Sequence, residues 1–189
     1  MEKKDLKPAG VFKYFEEICQ VPRPSKKEEK MIAYLKAFGA KHNLETKVDE
    51  AGNVLIKKPA TPGKENLQTV VLQSHIDMVC EKNNDVQHDF LTDPIETEID
   101  GEWLKAKGTT LGADNGIGVA TELAILADDS IEHGPLECLF TVDEETGLTG
   151  AFALQEGFMS GDILLNLDSE DEGEIFIGCA GGIDSVAEF

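Results

Sequence analysis

The spacing of apolar residues predicts two helices in the early part of the chain. The first covers residues 8–20, and its apolar face holds Val11, Phe15, Ile18 and Cys19. The prolines in VPRPS end this helix, because proline cannot continue one. Ser25 and Glu28 match a capping box, so a second helix is expected over residues 25–43, with an apolar stripe of Met31, Ile32, Leu35 and Phe38.

Three apolar runs farther along the chain predict strands that are buried on both faces, as parallel strands are. They cover residues 67–79, 136–142 and 162–168. A longer helix is predicted over residues 114–129, with its inward positions at Ile117, Leu123 and Leu126. A shorter helix is predicted over residues 148–158.

Alternation of apolar and polar residues predicts two hairpins. The first covers residues 44–58 and turns at Asp49–Asn53, and the second covers residues 95–108 and turns at Asp100–Gly101. Residues 173–182 begin a further strand. Because buried strands alternate with helices, the predicted class is α/β, with a mostly parallel central sheet flanked by helices.

The composition matters mainly for what it excludes. With 189 residues, of which 41% are hydrophobic, the chain can bury a core of ordinary size. It contains no apolar run near the roughly 18 residues of a membrane span, and its charged start lacks the apolar segment of a signal peptide. The widely spaced cysteines favour reduced thiols, and with them a cytoplasmic location. The net charge of −20 argues against binding to nucleic acid or to an anionic membrane.

One histidine and several acidic residues follow the predicted buried strands. His75 and Asp77 come after the first apolar run, residues 143–145 (DEE) after the second, and Asp168 at the end of the third. Asp114 lies in a glycine-rich turn that opens a helix. Because the carboxyl ends of parallel strands share one edge of a sheet, these side chains are expected to meet in one crevice.

Each of these residues, taken alone, also has a simpler interpretation. His75 fits a loop histidine, Asp114 a helix N-cap, and the acidic groups after the strands fit solvated turns. Their convergence favours a divalent metal site, and one histidine among carboxylates suits zinc, or else manganese or cobalt. The phosphate-binding motif G-x-x-x-x-G-K-[ST] is missing, and Cys179 stands where an EF-hand counted from Asp168 requires glutamate.

Four motifs occur in order between about Leu72 and Gly182: SHIDMV, GTTLGADNGIGVA, TVDEETGLTGA and LNLDSE…GCAGG. In these motifs the chain resembles the aminoacyl-histidine dipeptidases, the peptidase D or carnosinase-like enzymes of the co-catalytic dinuclear zinc exopeptidase superfamily. The resemblance implies hydrolysis of Xaa-His dipeptides, including β-alanyl-histidine, by water that two divalent ions activate. The alternatives are a sister exopeptidase or deacylase of this superfamily, and a non-catalytic module that binds metal or peptide.

The resemblance also implies which residues hold the metal ions. His75 and Asp168 would bind one ion, Asp114 would bridge both ions, and Glu145 would bind the second. The family pattern places a cis peptide bond between Asp114 and Asn115.

The resemblance implies separate roles for the remaining acidic residues. Glu144 would be the general base that takes a proton from the attacking water. Asp77 would orient His75 through the second ring nitrogen. Asp143 is expected to point away from the metals and to hydrogen-bond the turn.

The chain departs from the family pattern in two respects. The family takes a further metal-binding histidine from far downstream, whereas none of the four histidines here follows residues 143–145. Family members are also longer, with a lid and dimerisation domain. We therefore expect residues 1–182 to be the N-terminal part of a metallopeptidase catalytic domain and residues 183–189 to begin the connection to that further domain. The full-length protein is expected to be a homodimer acting on small peptides, and residues 1–189 alone to be inactive.

Overall fold

Four α-helices and seven strands follow one another in the residues that the structure, a computed structural model, describes: 2–169, 171, 173–178 and 181. The helices are α1 (Ala9–Cys19), α2 (Glu29–Lys41), α3 (Ala113–Ala127) and α4 (Thr149–Ala153). The strands are β1 (Glu45–Val48), β2 (Val54–Lys58), β3 (Val70–His75), β4 (Thr97–Asp100), β5 (Trp103–Ala106), β6 (Leu136–Thr141) and β7 (Ile163–Asn166).

Five strands form one sheet in the order β1-β2-β6-β3-β7, while β4 and β5 pair as a separate hairpin. β6, β3 and β7 are parallel, and β2 is antiparallel to both β1 and β6. It follows that β2 runs against the other four strands of this sheet. The predicted α/β class with a mostly parallel sheet is confirmed, and so are the two predicted hairpins, β1–β2 and β4–β5.

The main hydrophobic core lies on the face of the sheet that α1, α2 and α3 cover. Its fully buried side chains come from these helices and from the central strands and include Phe15, Ile18, Met31, Leu35, Ile56, Leu123 and Phe140. The opposite face carries a smaller cluster of Leu55, Val71 and Leu139 with Leu154, Phe158 and Met159. β3 and β6 are thus covered on both faces, as their apolar runs predicted.

Three predictions about buried residues and strand positions are wrong. Among the described residues β7 is the edge strand of the sheet, and its Ile163, Leu164 and Leu165 are 39%, 47% and 49% exposed because neither core cluster packs against them. Ile117 is 39% exposed, because it precedes Leu126 by two and a half turns of 3.6 residues and therefore lies on the opposite side of α3. The described residues 173–178 form no strand.

The predicted connection at residues 183–189 lies outside the described residues. Within the part of the chain that is described, no helix combines the length and the apolar character that crossing a membrane requires.

Candidate metal centre

The predicted site residues meet at the sheet edge formed by the carboxyl ends of β3, β6 and β7. His75 is the last residue of β3, and Asp77 follows two positions later. Residues 143–145 follow β6, and Asp168 follows β7. Asp114 lies in the first turn of α3, and its carboxylate reaches the imidazole of His75. The parallel order of the three strands therefore positions this group of side chains.

The imidazole of His75 is at the centre of the group. Its Nε2 lies 3.0 Å from Asp114 Oδ1, 3.6 Å from Asp168 Oδ1 and 4.0 Å from Glu144 Oε2. One potential ligand atom from each of His75, Asp114 and Asp168 lies within 4.8 Å of the others, and the same holds for His75, Glu144 and Glu145. The side chains thus form two overlapping clusters of metal-ligand type that share His75.

The side chain of Asp77 is fully buried and accepts hydrogen bonds from three segments. Its Oδ1 lies 3.2 Å from His75 Nδ1 and accepts the N–H of Glu144 at 3.0 Å. Its Oδ2 accepts the Ser25 hydroxyl at 2.8 Å and the N–H of Glu145 at 3.3 Å. Burial alone raises the pKa of this carboxyl group, but these donors outweigh burial and lower the pKa to about 2. Asp77 therefore ties the imidazole to the turn that carries both glutamates.

Ser25 does not form the predicted capping box. α2 begins at Glu29 with Glu28 as its N-cap, so Ser25 lies outside the helix. The Ser25 hydroxyl donates to Asp77, and Oε1 of Glu28 accepts the N–H of Asp143 at 3.0 Å. The capping-box prediction is wrong because both side chains bond to the segments around the site, which a local pattern does not reveal.

Asp143 turns away from the centre, as expected. Its side chain is buried and accepts hydrogen bonds from the hydroxyl groups of Thr146 at 2.6 Å and Thr149 at 2.5 Å. The residue stabilises the turn internally, which leaves Glu144 and Glu145 as the two acidic groups of this turn that face His75.

Excess negative charge around one imidazole shifts the pKa values of the centre. Burial alone lowers the pKa of His75, but Asp77, Asp168 and Asp114 outweigh it and raise the pKa to about 9. The pKa values of three carboxyl groups are raised as well, first by burial and then by the neighbouring carboxylates: those of Glu144, Glu145 and Asp168. The centre therefore favours a positive charge among its carboxylates.

This set of donors fits divalent cations. Asp77 faces Nδ1 of His75, so Nε2 is the nitrogen that faces Asp114 and Asp168. A cation bound there would replace a proton on Nε2 and would offset the repulsion among the carboxylates. One imidazole with several carboxylate oxygens is a donor set that zinc, manganese and cobalt accept.

The peptide bond between Asp114 and Asn115 is cis, as the family pattern predicted. The Asn115 side chain is buried, and its Nδ2 donates to Asp168 Oδ1 at 2.7 Å. This hydrogen bond connects Asp168 to the first turn of α3. The sequence motifs did not assign a role to the Asn115 side chain, and the only signal for one was its position beside Asp114.

Comparison with known proteins establishes the family. Residues 71–184, more than half of the chain, match the peptidase family M20/M25/M40. The chain belongs to this family. It is 54% identical over 183 residues to the cytosol non-specific dipeptidase of Escherichia coli, a match that covers 97% of this chain and 38% of that protein.

Two solved structures have a similar fold. The crystal structure of aminoacylhistidine dipeptidase from Vibrio alginolyticus has a TM-score of 0.92 and 56% identity, and the match covers 95% of this chain and 36% of that one. Aminopeptidase PepT from Bacillus cereus has a TM-score of 0.73 and 26% identity over 86% of this chain and 43% of that one. The chain thus spans less than half the length of each of these relatives.

Among the described residues, three histidines make contacts away from the centre: His42, His88 and His133. The first two pack against Phe38 and Phe90, with 4.4 Å between ring centroids in each pair. Nδ1 of the third lies 2.6 Å from the carbonyl oxygen of Gly134. His75 is therefore the imidazole that this part of the M20 chain supplies to the centre.

Proposed function

We propose that the full-length protein is a metal-dependent dipeptidase that hydrolyses Xaa-His dipeptides, including β-alanyl-histidine. The observation that carries the proposal is the convergence of one buried imidazole and four carboxylates at a single sheet edge. A module that only binds metal needs no additional base beside its ligands. The adjacent Glu144 and Glu145 therefore favour an enzyme over a binding module.

The residues of the centre divide into ligands for two divalent ions, for which zinc is the expected metal. His75 and Asp168 would hold one ion, Asp114 would contact both, and Glu145 would hold the second. When bound, such a pair of ions polarises the scissile carbonyl group and makes a water molecule more acidic. A further histidine ligand for the second ion is expected from a part of the protein outside this chain.

Glu144 would act as the general base, taking a proton from the attacking water and passing it to the leaving amine. Its backbone N–H is held by Asp77 at 3.0 Å, and its Oε2 lies 4.0 Å from Nε2 of His75. The carboxylate therefore stays beside the ligands while the side chain remains 31% exposed to solvent, from which a substrate would approach. Asp77 would keep the imidazole oriented through Nδ1.

The same proposal covers the rest of the protein. Residues 1–182 would form the N-terminal part of the catalytic domain, and residues 183–189 would lead into a further domain that makes the homodimer. The Escherichia coli relative is named a cytosol dipeptidase, which supports a cytoplasmic location. A net charge of −20 supports small peptides rather than nucleic acid as the binding partner.

The test is a substrate panel with the full-length protein, before and after removal of metal. Xaa-His dipeptides should be hydrolysed, a chelator should abolish the activity, and zinc should restore it, with manganese and cobalt as comparisons. Preferential cleavage of tripeptides or N-acyl amino acids would favour the sister exopeptidase or deacylase. Tight metal binding without turnover of any compound in the panel would favour the binding module.

A further inference from the structure

Arg23 is a buried cation next to the metal centre that the proposed chemistry does not use. Arg23 is only 2% exposed to solvent. Nη1 donates to the carbonyl oxygens of Ile76 at 3.1 Å and Asp77 at 3.0 Å, and Nη2 donates to that of Gly112 at 2.5 Å. A single guanidinium group thus connects two separate segments of the backbone.

Both of these segments carry candidate ligands. Ile76 directly follows His75, and Gly112 is the N-cap of α3, two positions before Asp114. The imidazole and carboxylate that the two segments present are 3.0 Å apart. The guanidinium therefore lies where it can fix the distance between the two side chains.

The backbone around Arg23 is shaped to admit a guanidinium group. A Cβ atom at Gly112 would lie 2.6 Å from Nη2, and one at Gly116 would lie 2.7 Å from the same atom. Real Cβ atoms do not approach that closely, so a side chain at either position would displace the guanidinium group. The carbonyl oxygen of Arg23 also accepts the N–H of Met78 at 3.2 Å, which attaches its own backbone to the segment after β3.

A buried charge is costly unless opposite charges compensate it. Burial lowers the pKa of Arg23, while the negative charges of Asp77 and Asp114 favour its charged form. Its hydrogen bonds to three carbonyl groups use donors on both terminal nitrogens. The acidic centre and the guanidinium therefore stabilise each other.

We propose that Arg23 is a positioning residue for the metal centre: it clamps the segment after β3 to the N-terminus of α3 and so sets the spacing of His75 and Asp114. This inference rests on the proposed metal-dependent function. Loss of a group that orients metal ligands typically lowers metal affinity roughly 10–100-fold. We expect a decrease of that size when the guanidinium is removed.

The test compares Arg23→Met with a matched control, Lys58→Met, in the full-length protein. Lys58 is also buried, at 8% exposure, and its Nζ donates to the carbonyl oxygens of Ile125 at 3.1 Å and Asp128 at 2.8 Å, at the far end of α3. The measurements are affinity for Zn²⁺ and Co²⁺ by competition with a chelator, the absorption spectrum of bound Co²⁺, and the melting temperature of the metal-free proteins. Both variants should melt lower than the parent, but only Arg23→Met should lose metal affinity and alter the Co²⁺ spectrum.

Arg23→Lys provides the second variant, because it keeps the charge but cannot reach all three carbonyl groups at once. It should lose affinity by less than Arg23→Met, and it keeps the test open if Arg23→Met does not fold. Parent-like affinity and Co²⁺ spectrum in Arg23→Lys or Arg23→Met, or an equal affinity loss in Lys58→Met, would overturn the positioning role. Failure of the parent protein itself to bind metal would instead overturn the proposed function.

Discussion

Two buried glutamates, Glu122 and Glu137, have surroundings that shift the pKa of the carboxyl group in opposite directions. Glu122 is fully buried in α3, and burial raises its pKa well above the usual range despite the opposing effects of Ser74 and Cys138. Burial also opposes ionisation of Glu137, but hydrogen bonds from Lys57 and Ser160 outweigh it and lower that pKa. The first carboxyl group is stable when protonated and the second when ionised.

Replacement of Glu122 by Gln should stabilise the protein at neutral pH. Above the unfolded pKa of about 4.3 the unfolded chain releases this proton while the folded protein keeps it, so stability falls by about 1.4 kcal/mol per pH unit until the raised folded pKa is reached. Gln removes that slope, and its advantage over the parent should grow between pH 5 and pH 7. Melting temperatures measured across this range check the prediction.

The control is Glu137→Gln, for which the opposite sign is expected. Its lowered pKa stabilises the protein above the unfolded value, and this contribution is lost as the pH falls through the folded pKa. Hydrogen bonds to charged groups contribute roughly 1.5–3 kcal/mol, so Glu137→Gln should destabilise the protein at pH 7 by about that amount. A shift of the same sign in both variants would contradict this account of the two sites.

At the scale of elements, the contact between α4 and the end of β6 stabilises the turn that carries Glu144 and Glu145. The N–H of Gly150 donates to the carbonyl oxygen of Val142 at 3.0 Å, and the carbonyl oxygen of Gly150 accepts from Asn53 Nδ2 at 2.8 Å. Asn53 Oδ1 in turn accepts the N–H of Val142 at 3.1 Å. These hydrogen bonds join the β1–β2 turn, the end of β6 and α4 close to Glu144.

Gly150→Ala should disrupt this junction. A Cβ atom there would lie 2.4 Å from the carbonyl oxygen of Val142 and 2.5 Å from Asn53 Oδ1, so the backbone has to shift. Overpacking of this kind costs typically 1–3 kcal/mol, and we expect a lower melting temperature together with lower activity. Gly10→Ala is the matched control, since a Cβ atom there would lie 3.5 Å from Cβ of Ala124, which is an ordinary van der Waals contact. Equal melting temperatures for the two variants would count against the packing role.

The helices and strands also show what the sequence could and could not predict. The buried strands, the hairpins and the convergence of His75, Asp114 and Asp168 followed from local periodicity and from the rule that parallel strands end at one edge. The exposure of β7 depends on what packs over the two faces of the sheet at its position, which its own residues do not encode. Ser25 and Arg23 were missed because their partners lie more than 50 positions away, at residues 76–77 and 112.

At the scale of the whole molecule, the carboxylates gathered around His75 should make the folding stability of the protein depend on bound metal. Ions that bind the folded protein and not the unfolded chain add about 2.7 kcal/mol at a free concentration 100 times their Kd. Chelation should therefore lower the melting temperature of the full-length protein, and zinc should restore it. Calorimetry with and without chelator measures this shift. A melting temperature that neither chelator nor zinc changes would argue against ions at this centre.

The most direct test of the central claim compares Glu144→Gln with Glu145→Gln in the full-length protein, measuring kcat for β-alanyl-histidine and bound metal for each. General-base catalysis typically contributes about 10²–10⁴-fold, so Glu144→Gln should lower kcat by that factor and keep the metal content of the parent. Glu145→Gln should lose the second ion together with activity. Metal loss in Glu144→Gln with retention in Glu145→Gln would show that the two roles are reversed, and parent-like activity in both would contradict a catalytic centre at this turn.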